Sequence, residues 1–133
     1  GGTNCYTAYE TAGNLIDTEY PANMWNTYVW HFSDGEDSEP ERTMEEVRKL
    51  LARNVNMVGY CEVQPAEDSS WGGKNSTLWK HFESNFPVQA VDDNGFKTLV
   101  GKDGLPLLGA IIEEREDLLP ALKAFLKKDR WVK

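Results

Sequence analysis

Two residues in this 133-residue chain have the chemistry to hold a hard divalent cation. Thr3 follows Gly1 and Gly2 just ahead of a helical pattern, and Asp34 closes the apolar run Trp25-Asn26-Thr27-Tyr28-Val29-Trp30-His31-Phe32, where Ser33, Asp34 and Gly35 turn the chain polar. A threonine hydroxyl and a carboxylate are hard oxygen ligands that suit Mg²⁺ or Mn²⁺, with waters completing an octahedron. The glycines would let the backbone approach an ion closely. Two protein ligands make a weak site, so at least one more oxygen source is required. By composition alone Gly-Gly-Thr reads as a helix cap and Ser-Asp-Gly as a turn. Other candidates are weaker. His31 lies inside the strand pattern, opposite Trp30, and reads as a packed or hydrogen-bonded histidine. His81 has no second histidine at metal spacing. Cys5 has no histidine placed by sequence to activate it. Glu36, Asp37, Glu39 and Glu41 form an acidic loop that could draw a cation or a partner, or simply be solvated. Trp71, in a Gly- and Ser-containing loop, is a candidate partner contact.

These residues need a scaffold that brings Thr3 and Asp34 to one edge. Thr7–Tyr20 has a helical stripe (Tyr9, Ala12, Leu15, Ile16, Tyr20), and Pro21 ends it. The aromatic strand at 25–32 follows. Thr43, three residues before Glu46, suggests a capping box for a helix to about Arg53, with Val47, Leu50 and Leu51 inward. Val55–Val63 is a second strand closed by Pro65, 77–85 a helix, and Pro87–Val91 a short third strand. Asp92–Asp103 reads as partly helical, leading to an apolar segment over 105–112. A last helix spans about 118–128, with Leu119, Leu122, Phe125 and Leu126 inward. Helix–strand alternation of this kind predicts a three-layer α/β/α domain with a mostly parallel sheet. The 25–32 strand reads as central, with its natural neighbour missing. In such sheets ligands gather at the carboxyl ends of the strands.

Composition bounds the function. The chain is 40% apolar with five Trp, five Tyr and five Phe, enough for one ordered domain over residues 1–133. A net charge of −8, from 14 basic and 22 acidic residues, argues against nucleic acid and anionic membrane as partners. Two cysteines outside any Cys-x-x-Cys spacing give no disulfide framework or four-thiolate site, and free thiols suggest a reducing, cytoplasmic setting. No run is long enough to span a bilayer. The opening Gly-Gly-Thr-Asn-Cys has neither an initiating methionine nor a leader pattern, so a portion of a longer polypeptide is expected. Phosphate-loop, Gly-x-Gly-x-x-Gly and Gly-x-Ser-x-Gly signatures are missing from the sequence.

Gly1-Gly2-Thr3, the run Tyr20-Pro21-Ala22-Asn23-Met24-Trp25-Asn26-Thr27-Tyr28 and Phe32-Ser33-Asp34-Gly35 resemble the C-terminal part of the UPF0229 (DUF444) family, as do the strand end Tyr60–Pro65 and the terminal helix. These are uncharacterised prokaryotic proteins, some associated with sporulation or stress. Their C-terminal portion is similar to a von Willebrand factor A-type, Rossmann-like domain. The resemblance implies a metal-ion-dependent adhesion site in which Thr3 and Asp34 are two of the ligand positions. The Asp-x-Ser-x-Ser element of such sites does not occur here, so the chain looks like the C-terminal portion of the domain with an incomplete site. The leading expectation is a non-enzymatic, metal-assisted protein-interaction domain, with Mg²⁺ or Mn²⁺ held weakly. The alternatives are a divalent-metal hydrolase or phosphatase built on Asp34, and a structural module that has lost its ion. An uncovered 25–32 strand further predicts self-association.

Overall fold

The computed structural model describes residues 4–64, 77–93 and 96–126. Helix α1 (Tyr6–Thr18) leads into strand β1 (Tyr28–Ser33), α2 (Pro40–Ala52) and β2 (Met57–Val63). Helix α3 (Thr77–Asn85) is followed by β3 (Val88–Asp93), β4 (Phe96–Gly101) and β5 (Leu107–Ile112). A single 3₁₀ turn at Arg115–Asp117 then enters α4 (Leu118–Leu126).

The five strands form one sheet in the order β1-β2-β5-β4-β3. β1–β2 and β2–β5 are parallel, whereas β5–β4 and β4–β3 are antiparallel. The sheet is therefore mixed, which corrects the mostly parallel arrangement expected from the sequence. The cause lies in the stretch expected to be partly helical. Residues 88–93 and 96–101 pair as a hairpin from Val88↔Gly101 to Asp93↔Phe96, separated in sequence by only Asn94-Gly95. Two residues can join antiparallel strands but never parallel ones. The apolar 105–112 segment is also a strand, placed between β2 and β4.

The aromatic strand, expected to lie beside a neighbour missing from this chain, is an edge strand among the described residues. β1 begins at Tyr28, with Ala22–Trp25 in turns, and it occupies one edge of the sheet. Period-two alternation divides its side chains. Val29 and His31 face a core shared with α1, α2 and α3, in which Ile16, Val47, Leu50, Val58, Tyr60 and Phe82 are buried. Trp30 faces the opposite side, packed on the smaller core of Met57, Cys61, Leu108, Ala110, Ile112 and Ala121. Three helices thus cover one face and α4 the other. Leu15 and Tyr20, expected to pack inward, are exposed at 45% and 48%, as is Leu119, whose place in the core is taken by Leu118.

Candidate functional site at the carboxyl rim

Parallel strands β1, β2 and β5 end together, and the chain segments that leave and approach them form a rim. At Gly35 the backbone takes φ of 91°, a left-handed conformation that glycine adopts without the Cβ clash. The Ser33 hydroxyl accepts from the Gly35 N–H at 2.9 Å, and Asp34 Oδ1 accepts from the Glu36 N–H at 3.0 Å. The Gly35 carbonyl in turn accepts from the N–H of Leu78, in the first turn of α3, at 3.1 Å. The start of α1 closes the same loop: the Ser38 hydroxyl donates to Asn4 Oδ1, and the Cys5 thiol lies 3.9 Å from the Glu36 carbonyl. One loop, 34–38, is therefore held by the beginnings of two helices.

Asp34 is exposed on this rim. Thr3 and Trp71 lie outside the described residues. Asn4, covalently next to Thr3, sits against the loop that carries Asp34. Glu36 is exposed. Asp37, by contrast, is a helix-start group, because Oδ1 accepts from the Glu39 N–H at 3.0 Å and Oδ2 from the Thr43 hydroxyl. Thr43 is thus not the N-cap of a capping box. The helix starts earlier, at Pro40, and Thr43 is buried in its first turns.

Behind the rim runs a buried polar chain that sequence reasoning did not assemble. The Tyr9 hydroxyl and His31 Nδ1 are 2.8 Å apart, and the His31 ring packs 5.3 Å from that of Tyr60. The Tyr60 hydroxyl donates to Glu62 Oε1 at 2.7 Å, while the Gln64 amide donates to Oε2. Glu62 is fully buried. One available signal was an acidic residue inside the otherwise apolar run Met57–Val63, since a buried carboxyl requires donors. Burial, with the nearby Glu62 charge second, pushes the Tyr60 hydroxyl well up, and burial likewise raises Tyr9. His31 is pushed down by burial, with Asp37 opposing. Burial, followed by Asp37, pushes the Cys5 thiol up to about 11, the opposite of what a nucleophilic thiolate requires. His81 caps its own helix turn, 2.8 Å from the Thr77 carbonyl.

The rim suits a hard divalent ion in kind of ligand but not in number. Asp34 supplies one exposed carboxylate, and among the described residues no three His, Cys, Asp or Glu side chains gather as a metal centre. Among the described residues no helix is long and apolar enough to cross a membrane.

Against known proteins, a family model described as "Protein of unknown function (DUF444)" matches residues 1–129. The chain belongs to this family. A UPF0229 protein of Bacillus cereus strain B4264 is 28% identical over 131 residues, covering 97% of this chain and 27% of that protein. UPF0229 proteins of Bacillus thuringiensis strain Al Hakam and Bacillus anthracis strain CDC 684 match with the same identity and coverage. The chain therefore spans about a quarter of the length of these relatives. No solved structure matches it.

Proposed function

We propose that this chain is the interaction portion of a longer DUF444 protein, working as a metal-assisted protein-binding domain and not as an enzyme. One observation carries the reading: the start of α1 and the loop bearing Asp34 meet at the carboxyl rim through Asn4–Ser38 and Cys5–Glu36. Thr3, the residue before Asn4 in the sequence, is the candidate second oxygen ligand. A Mg²⁺ or Mn²⁺ ion supplies a positive centre there, and a partner's carboxylate completes its shell. The likeness to von Willebrand A-type domains is proposed for this rim of the parallel strands, not for the mixed sheet as a whole. Within that rim Asp34 positions the ion, Gly35 sets the loop, and Asp37 holds the start of α2.

Calorimetric titration of Mg²⁺ and of Mn²⁺ into the chain and into Asp34→Ala tests the proposal. The expected result is weak binding, in the millimolar range, that the substitution abolishes. Indistinguishable heats for the two proteins would remove the ion.

A further inference from the structure

Glu62 is fully buried near the carboxyl end of β2, in the mostly apolar run Met57–Val63. An apolar side chain would fill this position without the desolvation cost of a carboxyl group. Register places Glu62 beside Ser33, the residue before Asp34, and Tyr60 beside His31. Alternation puts Ser33, Tyr60 and Glu62 on one face of the sheet, the face covered by α1, α2 and α3.

The hydrogen bonds on that face run in one direction. The buried Gly35 N–H donates to Ser33 Oγ at 2.9 Å. The Ser33 hydroxyl in turn hydrogen-bonds the Tyr60 hydroxyl, which donates to Glu62 Oε1 at 2.7 Å. Glu62 Oε2 accepts from the Gln64 amide. Each hydroxyl has one proton to give. Tyr60 gives its own to Glu62, so its oxygen is left to accept from Ser33, and the Ser33 oxygen is left to accept from Gly35. Ser33 also meets the Cys5 thiol, but sulfur is the weaker acceptor. Bonds aligned in this way polarise one another. Gly35 takes φ of 91°, and a glycine leaves such a conformation easily unless it is held. Its carbonyl is held as well, accepting from the Leu78 N–H at 3.1 Å.

We infer that Tyr60 and Glu62 are positioning residues of the rim: acting through Ser33, the buried pair holds the Gly35 N–H and with it the turn that presents Asp34. The inference rests on the ion reading of this rim and supplies it with an anchor in the interior of the domain. A carboxylate behind the rim also makes the local potential more negative, which favours a cation over an anion at Asp34.

Amide hydrogen exchange in EDTA and Mn²⁺ titration followed by water-proton relaxation, on the same set of proteins, test this. Tyr60→Phe and Ser33→Ala each speed exchange at Gly35 by about three- to tenfold relative to Val58, whose N–H donates to the Pro106 carbonyl in the middle of the sheet and reports opening of the whole domain. Glu62→Leu acts in the same direction, and Tyr60→Phe cuts the chain without emptying the buried position at 62. Thr98→Val removes a buried hydroxyl bonded to the Val91 carbonyl at 2.5 Å, on a different strand pair, and leaves the Gly35 to Val58 ratio unchanged. Tyr60→Phe and Ser33→Ala also bind Mn²⁺ about tenfold more weakly than the unsubstituted chain, a size typical of groups that support a ligand from behind. Thr98→Val binds it as the unsubstituted chain does. An unchanged exchange ratio in Tyr60→Phe would overturn the inference, and so would a raised ratio with undiminished Mn²⁺ affinity. An unsubstituted chain that binds no Mn²⁺ would instead overturn the ion reading, and the exchange ratio would still decide whether the buried pair anchors the turn.

Discussion

Replacing Gly59 with alanine places a methyl group under the ring of Trp30, its register partner across β1–β2. An added Cβ would stand 2.6 Å from both Cε3 and Cζ3 of that ring and 3.0 Å from Cδ2. Carbon atoms pack at about 3.5–4.0 Å, so the ring has to lift by about an ångström. Trp30 already stacks on Phe32, and the displacement passes to that pair. Overpacking of this size costs about 1–3 kcal/mol. Removing glycine's extra chain freedom returns about 0.5–1 kcal/mol, leaving a net loss of about 1–2 kcal/mol. For a domain of this length that lowers Tm by roughly 4–8 °C. Urea titration of Gly59→Ala, Trp30→Ala and the double variant separates the steric term. With the ring gone, the three nearest contacts of the methyl group vanish, and alanine at 59 becomes neutral or slightly stabilising. The cycle should give a coupling of about 1–3 kcal/mol. Equal costs of Gly59→Ala with and without Trp30 would refute the β1–β2 register and the position of the ring.

Tyr60→Phe removes the 2.7 Å donor to the buried Glu62 carboxyl and is expected to cost about 1–3 kcal/mol in denaturant unfolding; a cost below 0.5 kcal/mol, roughly the noise of such measurements, would show that the pair contributes little. His31 gives a pH dependence. Its folded pKa lies below the ordinary value of 6.5 because burial disfavours the cation. As pH falls below that value the unfolded chain takes up the proton first, so the stabilisation present above it declines toward the depressed folded pKa, by at most about 1.4 kcal/mol per pH unit. His31→Gln should flatten this part of the stability curve between neutral and mildly acidic pH, and an unchanged slope would assign the dependence to other groups.

Elements with strong period were legible in the sequence. The apolar spacing of Tyr9, Ile16, Val47 and Leu50 gave α1 and α2 their buried faces, and the Val58–Tyr60 alternation gave β2 its own. Sheet direction was not legible from helix–strand alternation, because it depended on 88–101. There Asn94-Gly95 is a hairpin signal flanked by two six-residue strands, but no clear alternation marks the polar Asp92, Asp93 and Lys97 as strand residues. The aromatic content of 25–32 marks a strand that lacks its neighbour, and the structure puts β1 at one edge of the sheet, though its pairing begins only at Tyr28. Its exposed aromatics show where that composition is unsatisfied by the strands described. At the rim, Asp34 was legible as a strand-end carboxylate. Asp37 was not separable from its acidic neighbours, since its role depends on Glu39 and Thr43 turning back onto it.

The most direct test of the rim is paramagnetic broadening of backbone amide signals as Mn²⁺ is added to the isotope-labelled chain. If the ion is held between the start of α1 and the loop after β1, the amides of Asn4, Asp34 and Gly35 broaden first, and Asp34→Ala leaves them sharp. Uniform broadening across the acidic surface, or loss of signal centred away from residue 34, would contradict an ion site at this rim.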